Sequence, residues 1–252
     1  MISRNARTIH RRLPAVKNGA IITTRNLFKQ YPVGRGTFTA LEDINLSIER
    51  GEFVGLVGPS GSGKTTLLNI VGALDQPTAG EAIVIGKSTG GLSHRESARL
   101  RNEHIGFIFQ TYNLLPVYTV YENVEFPLLL LGMGADERKE AVHRALEWVG
   151  LMDKIKSRPA QLSGGESQRV AVARAMVKRP EIVLADEPTA NLDAENSHNI
   201  LRMMATLNGE LGATFIFATH DAKVIGYLRR RITLNDGKVA ADEAVTPQWG
   251  AV

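Results

Sequence analysis

The 252-residue chain is 43% hydrophobic and 22% charged, holds 24 glycines and no cysteine, and carries a formal net charge of +4. These are ordinary globular proportions that exclude a collagen-like or disulfide-framework protein, and the lack of thiols excludes a cysteine nucleophile, an iron–sulfur cluster and any Cys-containing zinc site. The six histidines lie far apart without HExxH spacing, and the apolar run around Leu128 to Leu131 is far short of the roughly 20 residues that cross a bilayer.

Residues 1–20 hold Arg4, Arg7, Arg11, Arg12 and Lys17 with no acid. This tail alone accounts for the positive balance, so the rest of the chain is near neutral and no nucleic-acid partner is expected. The tail has neither an apolar stretch after its charges nor a small-residue cleavage site, which argues against a secretory signal. It reads as a disordered extension, with an anionic-lipid contact as the alternative. From Ile21 to Glu52 the pattern of Leu41, Ile44, Leu46 and Ile48, broken by Gly34, Gly36 and Gly51, predicts antiparallel strands. The main domain is expected over 21–240, with a tail over 241–252.

Phe53 to Val57 is a short run apolar on both faces, as in a parallel strand covered by helices. It leads into Gly58-Pro59-Ser60-Gly61-Ser62-Gly63-Lys64-Thr65-Thr66, which matches GxxxxGK[ST] from Gly58 to Thr65, and then Leu67, Leu68, Val71 and Leu74 at helical spacing. Glycines let the backbone curl so that successive N–H groups aim at one phosphate, and the helix N-terminus adds a partial positive charge. Lys64 is then placed to reach the β- and γ-phosphates, and Thr65 to offer its hydroxyl to Mg²⁺. A flexible Gly/Ser turn would not explain the lysine. The loop alone leaves kinases, GTPases and helicases open.

Ile105 to Phe109 predicts a second buried strand. Thr111 to Arg169 is mostly helical in pattern, with prolines at 116, 127 and 159, and marks a helical insertion over about 111–172. Within it, Glu137 to Val149 places Ala141, Val142, Ala145, Leu146 and Val149 on one face before Gly150. Ile182 to Ala185 predicts a third strand ending in Asp186 and Glu187, at the carboxyl edge where α/β sheets bind ligands. Strands also end in acids at plain surfaces, but beside a phosphate loop Asp186 is expected to hold the Mg²⁺ shell and Glu187 to orient or deprotonate water. A helix from Glu195 to Leu211 before Gly212 and a strand from Thr214 to Ala218 follow. The fold expected is α/β: a P-loop core with a mainly parallel sheet, an N-terminal antiparallel β-subdomain and an inserted helical subdomain.

Between the two nucleotide motifs stands Leu162-Ser163-Gly164-Gly165-Glu166-Ser167-Gln168-Arg169. Here the chain closely resembles the ATP-binding subunits of ABC transporters, whose signature is LSGGQ followed by QR and a helix. The likeness extends to Gln110 at the end of a strand, Asn191-Leu192-Asp193 after Pro188, His220 after Phe217-Ala218-Thr219, and Tyr31 in the first strand region. It covers about residues 22 to 238. The resemblance implies ATP and Mg²⁺ as ligands and an ATP-sandwich homodimer, in which Ser163, Gly164, Gly165 and Glu166 face the γ-phosphate on the other protomer's loop. It further implies that Gln110 touches Mg²⁺ or the water, Asp193 lies across the dimer interface, His220 contacts the γ-phosphate, and Tyr31 stacks on adenine. Thr66 and Asp221 support their neighbours. One departure is Glu166 where the pattern usually has glutamine: the helix dipole favours a carboxylate there, but nearby phosphates repel it, so a modest loss of ATP affinity or dimer lifetime is expected.

Leu74-Asp75-Gln76-Pro77-Thr78, Asn113-Leu114-Leu115-Pro116 and Glu122-Asn123-Val124-Glu125-Phe126-Pro127 narrow the resemblance to the lipoprotein-releasing and macrolide-exporter type, a group that includes the cell-division member. This implies a peripheral subunit on the cytoplasmic face of the inner membrane, driving a separate permease with four transmembrane helices and a large extracytoplasmic domain. A division-type complex that transports nothing, or an importer, would keep the same site. A DNA-maintenance ATPase would need a long coiled-coil insertion, and no heptads lie between Lys64 and Asp186.

Overall fold

The computed structural model describes residues 19–248, so most of the basic tail and the last four residues lie outside the described residues. Strand β1 (Ala20–Val33) turns back at Gly34 and Arg35 into β2 (Gly36–Glu49), the antiparallel hairpin that the alternation predicts. Strand β3 (Phe53–Val57) runs through the phosphate loop into helix α1 (Lys64–Val71). Strands β4 (Ala79–Val84) and β5 (Lys87–Ser88) then complete a four-stranded antiparallel sheet in the order β2-β1-β4-β5. Neither was anticipated, and nor was helix α2 (His94–His104). That helix buries only Ser97 and Leu100, too little for an apolar stripe, and its real signal is the Ser93–Glu96 capping box.

After β6 (Ile105–Ile108) come the helices of the insertion, α3 (Val120–Leu130), α4 (Ala135–Trp148) and α5 (Gly164–Met176), the last running past the expected limit at 172. The chain closes with β7 (Ile182–Asp186), α6 (Ala194–Leu211), β8 (Thr214–Thr219), the short α7 (Ala222–Ile225), β9 (Arg230–Asn235) and β10 (Lys238–Ala244). The second sheet has the order β10-β9-β3-β8-β7-β6, parallel throughout except for β10 against β9. Strand β10 extends beyond residue 240, where the main domain was expected to end. Its Asp242 and Glu243 pair with Arg230 and Arg231 of β9.

Alternate residues of the central strands feed two separate cores. Phe53, Phe215 and Phe217 pack together with the apolar faces of α3 to α6. Val54, Leu56, Ile216 and Ala218 point the other way, onto α1 and the antiparallel sheet. This double burial explains why the strands read as continuous apolar runs. It also fixes their register, because a slip of one residue would exchange the two cores. Val57 therefore stands beside Thr219, and Asp186 beside Ala218, so β3, β7 and β8 end side by side at one edge.

Candidate nucleotide-binding and hydrolysis site

The phosphate loop leaves β3 at that edge, and its glycines are imposed by close approach. A Cβ on Gly58 would sit 2.2 Å from the Leu234 carbonyl oxygen. Gly63, at φ 98°, caps α1 where a Cβ would meet the Ala40 carbonyl and Leu41 at 2.7 Å. Among the described residues no side chain caps α1 and no acid stands in its first turn, which leaves its N–H groups for an external anion. Lys64 is only 7% exposed and donates from Nζ to the carbonyls of Gly58 and Pro59, both at 2.8 Å. Ser62 beside it is buried with no hydrogen-bond partner for its hydroxyl oxygen. This donor set, with a buried ammonium and uncapped amides, fits polyphosphate.

Thr65 Oγ1 donates to Asp186, 3.2 and 3.3 Å from the two carboxylate oxygens. Burial pushes the Asp186 carboxyl above its usual range; Thr65 and Lys64 pull it down, while Glu187 adds to the rise. A hydroxyl facing a carboxylate is an all-oxygen donor pair suited to Mg²⁺. The described residues hold no cluster of three or more His, Cys, Asp and Glu side chains for a metal, so the pair would share the ion with phosphate and water. Because the folded state favours the protonated acid, ionised Asp186 costs stability as pH rises through its folded value. Asp186→Asn is therefore expected to raise the melting temperature of the ligand-free protein at neutral pH by roughly 2 °C while abolishing Mg²⁺-dependent hydrolysis. A lowered melting temperature would refute that reading of the burial.

Glu187 occupies the left-handed region at φ 44°, a conformation rare for residues with a side chain, held by its amide donating to the Ala218 carbonyl at 2.9 Å. The turn aims the carboxylate back along the sheet edge. One oxygen lies 2.6 Å from His220 Nδ1 and the other accepts from Thr219 Oγ1 at 3.0 Å. Glu187 is 16% exposed and His220 70%. Ser60, Gly61, Gly63, Lys64, Thr65, Thr66, Gln110, Asp186, Glu187 and His220 all line one cavity of about 380 Å³.

The remaining expected site residues stand outside that cavity. Ser163 caps α5 in a capping box: its Oγ accepts from the Glu166 amide at 3.2 Å, and the Glu166 carboxylate accepts from the Ser163 amide at 2.8 Å. Lys154 Nζ lies 3.2 Å from the second carboxylate oxygen. The Ser163 amide and Lys154 thus hold Glu166 ionised, below the usual carboxylate range. Glutamine preserves a capping box, so Glu166→Gln is expected to leave α5 intact and to tighten ATP-dependent dimerisation a few-fold; an unchanged dimer lifetime and ATPase rate would remove the assigned repulsion. Gly164 and Gly165 form the first turn, Gly165 against the Asn196 side chain. Asp193 caps α6 through the Asn196 amide and is exposed. Tyr31 is half-buried, its hydroxyl donating to Asp75 at 2.7 Å.

Sequence reasoning gave Asn191 and Gln168 only as parts of motifs, expected of Asp221 that it supports its neighbours, and missed Thr189 and the contacts that join these pieces. Asn191 Nδ2 donates to the Gln110 carbonyl at 2.9 Å, and the fully buried Gln168 donates to the Pro188 carbonyl at 2.8 Å. Thr189 Oγ1 donates to Asp221 at 2.8 Å, which binds the turn after Glu187 to the one after His220. Their common signal is a polar residue within a few positions of each motif.

A glycine-rich loop that opens a helix against the carboxyl edge of a parallel sheet defines the P-loop nucleotide-binding class, and the paired acids at the end of β7 suit its hydrolysing branch. Within it, the chain belongs to the ABC transporter family, as an ATPase cassette: the family model described as ABC transporter matches residues 41–190. It is 45% identical over 231 residues to a macrolide export ATP-binding/permease protein, MacB, of Rhodopseudomonas palustris (strain BisB18), covering 92% of this chain and 35% of the relative. The chain thus spans about a third of the length of the MacB relatives it matches. It is also 41% identical over 226 residues to the lipoprotein-releasing system ATP-binding protein LolD of Legionella pneumophila (strain Lens), covering 90% of this chain and all of the relative. Among solved structures, a dimer of the ATP-binding cassette MJ0796 bound to ADP and Pi in a post-hydrolysis state superposes with a TM-score of 0.83 at 41% identity, covering 89% of this chain and 99% of that one.

Proposed function

We propose that this cassette closes as an ATP-sandwich homodimer to drive a separate membrane permease of the export, lipoprotein-release or mechanotransmission type. The observation that carries the reading is the division of the site. The phosphate loop, Asp186, Glu187 and His220 share one cavity, whereas Ser163 to Glu166 open α5 outside it. A helix N-terminus is an anion site, and in this reading that of α5 serves the nucleotide of a second copy, an arrangement that the dimeric MJ0796 cassette supports.

In this reading Lys64 and the α1 amides hold the β- and γ-phosphates, and Gln110 reaches from its strand end toward the attacking water. Mg²⁺, held through Thr65 and Asp186, would neutralise charge on the phosphate oxygens. Glu187 takes the proton of the water as the water oxygen bonds to the γ-phosphorus and the bond to ADP breaks. His220 and Thr219 keep that carboxylate pointed correctly. Among the described residues no helix is long and apolar enough to cross a membrane. In this reading the subunit works as a peripheral component on the cytoplasmic face, and the permease, with four transmembrane helices and a large extracytoplasmic domain, supplies the substrate path.

The test is purification of a tagged Glu187→Gln chain from solubilised membranes with ATP and Mg²⁺, identifying the co-purifying partner by mass. A four-helix permease with a large outer domain supports the reading. A many-helix importer, or no membrane partner, overturns the subtype while leaving the ATPase cassette in place.

A further inference from the structure

We infer that Lys223 is a positioning residue for hydrolysis: with Ser197 it clamps the start of α6 to the turn after β8, and that turn fixes the direction of the Glu187 carboxylate. The inference rests on the reading of Glu187 as proton acceptor and adds two residues that no sequence motif marks.

The contacts run from one group to the next without a gap. Lys223 Nζ donates to Ser197 Oγ at 3.1 Å and lies 3.4 Å from one Asp221 carboxylate oxygen. That oxygen also accepts from Thr189 Oγ1 at 2.8 Å, and the other accepts from the Lys223 amide at 2.9 Å. The Asp221 amide donates to Thr219 Oγ1 at 3.0 Å, and Thr219 Oγ1 donates to Glu187 at 3.0 Å. At the far end Ser197 Oγ donates to the Asp193 carbonyl at 2.6 Å.

The direction of each bond follows from the protons available, because a hydroxyl has one to give. Thr219 accepts from the Asp221 amide and gives its proton to Glu187. Ser197 gives its proton to the Asp193 carbonyl and meets Lys223 as an acceptor. Ser197 is fully buried and Lys223 half-buried, so the ammonium is drawn into the junction and not left in water. Burial raises the Asp221 carboxyl, but the Lys223 amide, the Thr189 hydroxyl and the Lys223 ammonium together hold it below the usual range, so Asp221 is ionised at neutral pH.

What the ammonium adds is a cross-link. Helix α7 has only four residues, too few to hold its own start, whereas α6 has eighteen and packs into the core along Ile200, Leu201 and Met204. Lys223 ties the short element to the long one. Thr219 and His220, the two groups on the Glu187 carboxylate, stand just ahead of it. Without the tie the turn gains freedom, and the carboxylate with it.

The experiment measures single-turnover hydrolysis and ATP affinity of the full chain with Mg²⁺ for wild type, Lys223→Met, Lys223→Arg, Ser197→Ala and Glu187→Gln, and for Glu187→Gln combined with Lys223→Met or Ser197→Ala. Misdirection of a catalytic group predicts hydrolysis about tenfold slower in Lys223→Met and in Ser197→Ala, with ATP affinity close to wild type and the rate largely restored in Lys223→Arg. In the Glu187→Gln background neither substitution should slow the residual rate further, since the group being oriented has already lost its basicity. An unchanged rate in Lys223→Met or Ser197→Ala, an equal slowing in the Glu187→Gln background, or a loss of ATP affinity as large as the loss of rate overturns the inference. Should Lys223→Met fail to fold, Ser197→Ala alone and with Glu187→Gln carries the same test. If Glu187→Gln is slow while Lys223→Met is not, only this inference falls; if Glu187→Gln keeps full turnover, the reading of Glu187 falls and takes this one with it.

Discussion

The Glu187→Gln chain is expected to bind ATP with near wild-type affinity, to hydrolyse it about 10²- to 10³-fold more slowly, and to elute at twice the monomer mass when ATP is present. The amide is isosteric with the carboxylate and its oxygen still accepts from Thr219 Oγ1, so the orientation given by φ 44° and by His220 survives. What is lost is basicity. In the proposed sandwich a water held in line would then have no acceptor for its proton, and the γ-phosphate bridging two copies would stay in place. Substitution also takes a negative charge away from the phosphates, which works in the same direction as the stalled chemistry. Hydrolysis rate and elution volume, measured together, check this; full turnover would strip Glu187 of its role.

Lys64→Ala should abolish measurable nucleotide binding, a loss of 100-fold or more. A hydrogen bond to a charged group contributes about 1.5–3 kcal/mol, and in the proposed site Lys64, only 7% exposed, would reach two phosphates. The cost falls on binding rather than on folding, because the ammonium's partners in the free protein are two carbonyls of the loop itself. Titration of ATP against this variant, with a thermal melt close to wild type, separates the two. Retained affinity would mean that the α1 amides alone hold the phosphates.

The phosphate loop, the signature and the acidic strand end were legible because each is local: its residues are contiguous, and its chemistry dictates its composition. Helices from Ala135 and Ala194 were equally legible, since an apolar stripe and a terminal glycine, Gly150 at φ 65° or Gly212 at φ 67°, speak within one window. Four strands of the second sheet, β3, β6, β7 and β8, were found to within about one residue, whereas β9 and β10 were not anticipated. Helix α2 and β5 were hidden because they bury so little that no period shows, and β4 because its alternation is confined to Ala82 and Val84. Pairings across long separations were hidden for another reason. Asp75 meets Tyr31 over 44 positions and Arg174 meets Tyr112 over 62, and only the closed register of the sheets brings them together. The left-handed turn at Glu187 belongs to the same group, because it is set by the neighbouring strand and not by the residue.

Helix α5 is thirteen residues, a rod of about 20 Å. At its first turn stand Ser163 and Glu166. Near its last, Arg174 donates to the carbonyls of Tyr112 and Asn113 at 2.6 and 2.5 Å, just beyond Gln110. Burial lowers that guanidinium to about 10, so it stays charged and keeps its grip at neutral pH. The helix is largely buried from Gly165 to Met176, so one rigid element joins the signature turn to the backbone that follows Gln110.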